Sequence, residues 1–203
     1  MLRQIGMLQI RIVCFFLMLG TISYGQSEAV DWSSNYKLKL EDFQNPETEI
    51  NGKGSSLFIQ SGATIELAFQ MNNLAFMFTK NFNNKILCKF YKESAVLVAP
   101  GSLDVPRLIK LAQFDFDLSE LYARKIRKEI YENKKTFSKA DFFEPYFNKM
   151  IAERNGISSK VYKASDFGKK IEVVEKEHTK VVKEIELLHD FCFDCKPPKK
   201  KRK

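Results

Sequence analysis

Three carboxylates lie close together in the middle of this 203-residue chain, at Asp115, Asp117 and Glu120. Such oxygens can bind a metal ion, and a pair of carboxylates can share acid and base work, as in glycoside hydrolysis. The structural interpretation is that Asp117 and Glu120 hold loop amides or form ion pairs with Arg124 and Arg127, a few positions further on. Because any charged helix offers such carboxylate pairs, we favour the structural interpretation.

The chain has two histidines, His178 and His189, in a segment rich in Glu and Lys. On a helix their spacing corresponds to about three turns and about 16 Å along the axis. Two side chains that far apart cannot bind one metal ion unless the helix breaks between them. We therefore predict two polar surface histidines.

Cysteines occur at Cys14, Cys88, Cys192 and Cys195. The last two form a C-x-x-C pair, which without a second pair or a nearby βαβ pattern is weak evidence for zinc or redox chemistry. We predict that they form a local disulfide or remain two free thiols. Cys88 lies in an alternating apolar run and is predicted to be a small buried side chain.

The carboxylates belong to residues 107–130, the longest central segment without Gly or Pro, which predicts a helix. Pro106 suits its first turn, and either Ser102 or Asp104 could cap it. Apolar residues recur at steps of three and four and so share one face, at Leu111, Phe114, Leu118, Tyr122, Ile126 and Ile130.

The segments before this helix predict strands. Residues 36–40 alternate between apolar and charged side chains, as a half-buried strand does. Residues 65–71 also alternate, and a turn at Asn72-Asn73 would pair them with residues 74–79 in an antiparallel hairpin. Residues 85–99 are rich in strand-forming residues, with an interruption at 92–94.

Two further helices are predicted after the central one. The first covers residues 141–155, with its regular part starting at Pro145 and a stop at Gly156, followed by an irregular stretch. The second covers residues 171–188. Strands followed by helices predict an α+β domain, in which an antiparallel or mixed sheet packs on the central helix.

The first 25 residues are typical of a signal peptide. Arg3 and Arg11 precede an apolar run at 12–22, and the small residues Ser23 and Gly25 suit cleavage before Gln26. The run is shorter than the roughly 20 residues that a spanning helix needs, although an uncleaved anchor is the alternative. We expect an exported protein, periplasmic or extracellular, with one mature domain over residues 26–190.

The net charge of +8 comes from the two ends of the chain. Two of the 33 basic residues lie in the leader and six lie in residues 196–203, and neither of these stretches contains an acidic residue. The remaining 25 basic residues stand against 25 acidic ones. We assign residues 191–203 to a basic tail. A neutral body has no electrostatic footprint for nucleic acid. Residues 198–203 look like a nuclear localisation signal, but export contradicts nuclear import. We expect a disordered tail without a partner, or with weak contact to anionic membrane.

The central helix resembles that of an exported family of predicted zinc-dependent proteases, known as domain of unknown function 922. The family helix has the form L-L-K-H-E-Q-x-H-F-D-I-x-E-x-Y-A-R-x-L-R, and its opening has the form W-S…L-x-W-x-D-F. This chain matches it at Leu108-Ile109-Lys110, Gln113, Phe116-Asp117, Glu120, Tyr122-Ala123-Arg124 and Arg127, and in the opening at Trp32-Ser33 and residues 38–43. The resemblance implies a zincin-like fold, in which the two histidines of H-E-x-x-H bind zinc and the Glu acts as general base.

The departures from the family pattern fall on the residues that do the chemistry. Leu111 stands at the first His position, Ala112 at the Glu position and Asp115 at the second His position. A third family His would fall at Phe167. Leucine cannot bind zinc and alanine cannot accept a proton, and one carboxylate does not replace three protein ligands.

The resemblance thus implies a degenerate, non-catalytic protein without a cofactor, a pseudo-peptidase with a binding or structural role in a bacterial cell envelope. Its former cleft has either filled in or binds a peptide, a lipid or an envelope protein without cutting it. The alternatives are an active hydrolase with an unconventional metal or carboxylate site and, from the tail alone, a nuclear or nucleic-acid-binding protein.

Overall fold

The computed structural model describes residues 28–51, 56–68, 71–136, 138–139 and 141–198. In these residues the strands form two three-stranded sheets. The first has the order β1-β5-β4 and is antiparallel, and the second has the order β2-β6-β3, with β2 parallel and β3 antiparallel to β6. The strands are β1 (Ala29–Asp31), β2 (Glu49–Ile50), β3 (Phe58–Gln60), β4 (Ala63–Leu67), β5 (Ile86–Tyr91) and β6 (Val96–Ala99).

The chain crosses between the two sheets at two short corners. Gly62 lies at the corner between β3 and β4, where a Cβ atom would come within 2.2 Å of the Tyr91 carbonyl oxygen. Only glycine allows the backbones to approach so closely. A 3₁₀ turn at Lys92–Ser94 makes the second corner, between β5 and β6. The predicted interruption at 92–94 is confirmed.

The helices are α1 (Asn73–Phe78), α2 (Val105–Asn133), α3 (Glu144–Ala164) and α4 (Ile171–Leu187). Strands β4 and β5 contact α2 on one side, and α3 and α4 pack against it on another. Every residue from 111 to 124 is consequently buried. The predicted central helix is confirmed, and so is the α+β class, but residues 111–124 of α2 are buried on every face rather than along one apolar face.

The hairpin predicted from residues 65–71 and 74–79 is wrong. The true antiparallel partner of β4 is β5, with Ile65 opposite Cys88. The second half of the predicted hairpin forms α1 instead, because the Asn72 side chain accepts a hydrogen bond of 2.8 Å from the Ala75 amide and caps a helix. The sequence after Asn72 lacks polar alternation, so nothing in it favoured a strand over a short helix.

The strand predicted at residues 36–40 is also wrong. This stretch has no strand pairing and ends in a 3₁₀ turn at Leu40–Asp42. Its alternation reflects one-sided burial against α2, since Leu38 is buried and its amide donates to the Gln113 side chain at 2.8 Å. The Gln113 side chain thus accepts the hydrogen bond that a neighbouring strand would otherwise accept from the Leu38 amide.

The predicted stop at Gly156 is wrong, because α3 runs through it to Ala164. Glycine costs a helix only about 1 kcal/mol relative to alanine, and burial of Val161 beyond it favours continuation. The start at Glu144-Pro145 and the last helix are close to their predicted positions. The predicted signal peptide at 1–25 lies outside the described residues. No helix in the described ranges is long and apolar enough to cross a membrane.

Candidate binding site

Asp115 on α2 forms an ion pair with Arg154 on α3. The guanidinium Nη2 lies 2.9 Å from Oδ2 of Asp115 and donates to the Asp115 carbonyl oxygen at 3.2 Å. Its Nε donates to the Ser119 hydroxyl at 3.2 Å. The arginine therefore ties the two helices together and balances the charge of a carboxylate that is only 4% exposed.

The second carboxylate oxygen of Asp115, Oδ1, is not used by this ion pair. Oδ1 is buried and makes no well-formed hydrogen bond among the described residues, although the Tyr162 phenol approaches the Asp115 carboxylate closely enough to interact with it. A buried acceptor without a partner costs about 1–3 kcal/mol and calls for an explanation, such as a bound molecule. Asp115 lies on the wall of a cavity of about 620 Å³. We call it the Asp115 cavity; its other lining residues are Ile59, Ser61, Ser158, Ser159, Tyr162, Lys163, Asp166 and Phe167.

Hydroxyl groups and aromatic rings make up much of the remaining lining of the cavity. Ser158 is buried, and Tyr162 and Phe167 make an edge-to-face pair with ring centroids 6.3 Å apart. Burial, and then the negative charge of Asp115, raise the pKa of Tyr162 well above its usual value near 10. The phenol thus stays protonated, and it can both donate and accept a hydrogen bond in this cavity.

A strained turn presents Phe167 at the cavity. Asp166, Phe167 and Gly168 have φ angles of 48°, 51° and 81°, in the left-handed region that favours glycine. Hydrogen bonds hold this conformation: the Phe167 amide donates to the Tyr162 carbonyl at 3.0 Å, and Arg107 donates to the Phe167 carbonyl at 3.1 Å. A conformation that is costly for phenylalanine is maintained at the mouth of the cavity.

Of the four positions predicted to replace the family's metal site, the structure brings two together. Asp115 and Phe167 both line the cavity, whereas Leu111 and Ala112 are fully buried in the core and do not reach it. These residues do not fit a zinc ion, since the carboxylate is paired with Arg154 and the other side chains offer no lone pair. In the described ranges, no group of three His, Cys, Asp or Glu side chains could hold a metal ion.

The prediction of a surface role for His178 is wrong, because this residue belongs to a part-buried network. Its Nε2 lies 2.6 Å from Oδ2 of Asp117, and its side chain is 27% exposed. Asp117 also accepts hydrogen bonds from the Trp32 indole at 2.7 Å and from Gln113 at 3.1 Å. The network joins the N-terminal segment, α2 and α4. The helical spacing of α4 could not show this, because the partners come from other elements.

An Asp–His pair can orient a general base, but such a base needs a nucleophile or a water to act on. Among the described residues, no hydroxyl or thiol hydrogen bonds to His178, and its ring packs edge-on against Phe114. The pair therefore has a structural role and links α2 to α4. His189 is exposed, as predicted, with 76% of its side chain accessible.

Glu120 is the centre of a second charged cluster on α2, formed with Arg124 and Arg127. Its Oε1 lies 2.8 Å from Nε of Arg124 and 2.9 Å from Nη1 of Arg127. The arginines also donate to carbonyl oxygens of Ile86, Ile185, Leu188 and Phe191. Of the alternatives predicted for Asp117 and Glu120, ion pairs with Arg124 and Arg127 are confirmed for Glu120, whereas Asp117 pairs with His178 instead. We call Glu120, Arg124 and Arg127 the Glu120 cluster.

The C-terminal segment packs on the body beyond residue 190, where the predicted tail begins. Phe191 is buried, and Asn81 and Asn83 donate to the Cys195 carbonyl at 3.0 and 2.9 Å. Cys192 and Cys195 form a local disulfide, one of the two predicted states. Cys88 is a buried free thiol, as predicted.

Sequence reasoning missed Arg154, Ser158 and Tyr162, which face Asp115. They recur at intervals of four, so a helix continued through Gly156 would place them on one face. Because we predicted that the helix stops at Gly156, we did not place Ser158 and Tyr162 on the same helix as Arg154. Comparisons with protein-family models, with curated proteins and with solved structures found no match for this chain.

Proposed function

We propose that this chain is a non-catalytic binding protein that uses the Asp115 cavity, built on a zincin-like scaffold related to the family of domain of unknown function 922. The observation that carries the proposal is the ion pair between Asp115 and Arg154 at the position where the resemblance expects a zinc ligand. A guanidinium satisfies one carboxylate oxygen there, and the other oxygen is left for a ligand.

Two further observations support this proposal, the burial of Leu111 and Ala112 and the volume of the cavity. The resemblance assigns Leu111 and Ala112 to the positions of a ligand and a general base, and their burial leaves them no access to a substrate. The cavity volume lies within the roughly 300–1,000 Å³ that is common for sites of small ligands. We further propose export to a bacterial envelope, from the leader at residues 1–25.

Metal analysis of the purified protein, together with a peptide-cleavage assay, tests the absence of catalysis. We expect no stoichiometric zinc and no cleavage that a chelator abolishes. Stoichiometric zinc with chelator-sensitive cleavage would establish the alternative, an active hydrolase with an unconventional site. Mass spectrometry of protein expressed with its leader tests export, with Gln26 as the expected first residue.

The scaffold relation is tested by rebuilding the family motif. The two family positions that line the cavity are Asp115 and Phe167, so a variant with Asp115→His and Phe167→His should bind zinc more tightly than either single variant. Circular dichroism shows which variants fold. A folded double variant that binds zinc no better than the single variants would contradict the relation to the family.

A further inference from the structure

We infer that the Asp115 cavity recognises a neutral carbohydrate ring through its hydroxyl groups. The inference rests on the proposed function as a non-catalytic binding protein and names the class of ligand. It is carried by the orphaned Oδ1 of Asp115, by the hydroxyl groups around it and by the aromatic ring at the mouth.

The charges around the cavity favour a neutral ligand. Arg154 balances Asp115, and Asp166 forms an ion pair of 3.0 Å with Lys169. Lys163 adds a further positive charge to the lining. A cationic ligand would face Lys163, whereas an anionic one would approach the buried carboxylate of Asp115. A neutral hydroxyl group can donate to Oδ1 and is repelled neither by the lysine nor by the carboxylate.

The hydroxyl groups of the wall complement a ligand that both donates and accepts. Ser61 accepts a hydrogen bond of 3.2 Å from the Ala63 amide, so its own hydroxyl hydrogen remains for a ligand. Ser158, Ser159 and the protonated phenol of Tyr162 each offer one donor and acceptor lone pairs. A ring that carries several hydroxyl groups can use such a mixed lining, while a backbone amide offers one donor and one acceptor.

The aromatic wall matches the other surface of a sugar. The C–H groups of a sugar ring form an apolar face, which packs on an aromatic ring while the hydroxyl groups at the ring's edge make hydrogen bonds. Phe167 is 41% exposed and lies on the lining, and Ile59 adds a buried apolar side chain. The strained turn keeps the Phe167 ring at this place.

The test is titration of the full mature protein with neutral mono- and disaccharides at millimolar concentration, followed by NMR and calorimetry. Glucose, N-acetylglucosamine and their β-linked disaccharides form the panel. We expect at least one to bind, with chemical-shift changes at Tyr162 and Ser158. Phe167→Gly should weaken binding by about tenfold, because the stacking face is lost while glycine suits the positive φ.

Phe193→Ala is the matched control, because Phe193 is 40% exposed and does not line the cavity. It should leave saccharide affinity unchanged. Ser158→Ala gives a second variant that removes one hydroxyl and should weaken binding without unfolding the protein.

Absence of binding by every saccharide would overturn the inference, as would equal losses in Phe167→Gly and Phe193→Ala. Peptide binding at Tyr162 without saccharide binding would also overturn it, while leaving the proposed non-catalytic function intact. Chelator-sensitive peptide cleavage would instead refute the proposed function.

Discussion

Glu120 and Asp115 are two buried carboxylates on the same helix, and each faces arginine, yet their surroundings differ. Glu120 contacts two guanidinium groups whose other donors bind backbone carbonyl oxygens of β5, α4 and the C-terminal segment. Asp115 contacts one guanidinium, and its second oxygen lies at a cavity and makes no well-formed hydrogen bond among the described residues. Since burial penalises every unmade hydrogen bond, the complete cluster fits a structural role, and the incomplete one is where we propose that a ligand binds.

The largest effect should come from Glu120→Ala. It leaves two nearly inaccessible guanidinium groups without their counter-ion, and removal of one partner from such a buried pair costs about 3–5 kcal/mol. Urea denaturation followed by circular dichroism measures this loss. Glu153→Ala is the control, because its pair with Lys149 is exposed and 3.9 Å long, and it should cost under about 0.5 kcal/mol. Similar losses in both variants would contradict a structural role for the cluster.

Asp115→Asn should destabilise the fold less, by about 1–3 kcal/mol. Arg154 keeps its bonds to Ser119 and to the main chain when the carboxylate charge is removed. The double variant with Arg154→Gln, analysed as a double-mutant cycle, should show favourable coupling between the wild-type side chains. A loss as large as that of Glu120→Ala would show that the two clusters are equally structural.

Replacing Cys192 and Cys195 by serine should cost about 2 kcal/mol or less, because their disulfide closes a very short loop. The adjacent Phe191 carbonyl accepts from Arg127 at 3.0 Å, so the effect reaches the Glu120 cluster and leaves the Asp115 cavity unchanged. Thermal unfolding with and without reductant measures the cost, and reductant should not alter the double-serine variant. Perturbed NMR signals at Tyr162 in that variant would contradict this separation.

The smallest effect concerns pH. Because the pKa of Tyr162 is raised in the folded state, its contribution to stability is complete below its usual value near 10 and is lost as the pH rises through the folded pKa. An ultraviolet titration of tyrosinate should therefore lose a late step in Tyr162→Phe. Tyr36 and Tyr91, with pKa values raised to about 12, remain as internal references. If Tyr162→Phe instead removed a step near pH 10, the phenol of Tyr162 would be exposed to solvent and its pKa would not be raised.

Local pairing was predictable and long-range pairing was not. Glu120 and Arg124 are four residues apart on a helix, so their contact follows from helical geometry. Arg154 reaches Asp115 from another helix, and His178 reaches Asp117 from a third, which no periodicity within α2 indicates. The hairpin failed for the same reason, because β4 pairs with a strand beyond the short helix that follows it.

The amino-acid sequence by itself determined the central helix, the α+β class, the absence of histidine and glutamate from the resembling motif, and that Glu120 and Arg124 are within reach of each other. These follow from residue types and from spacing along one element. Tertiary structure decided which carboxylate is left incomplete, because this depends on side chains that α3 and the turn at Phe167 bring to Asp115. Because residues 111–124 of α2 are buried, its charged side chains need partners from other elements. Glu120 finds them in the Glu120 cluster, while Asp115 lies on the wall of the cavity.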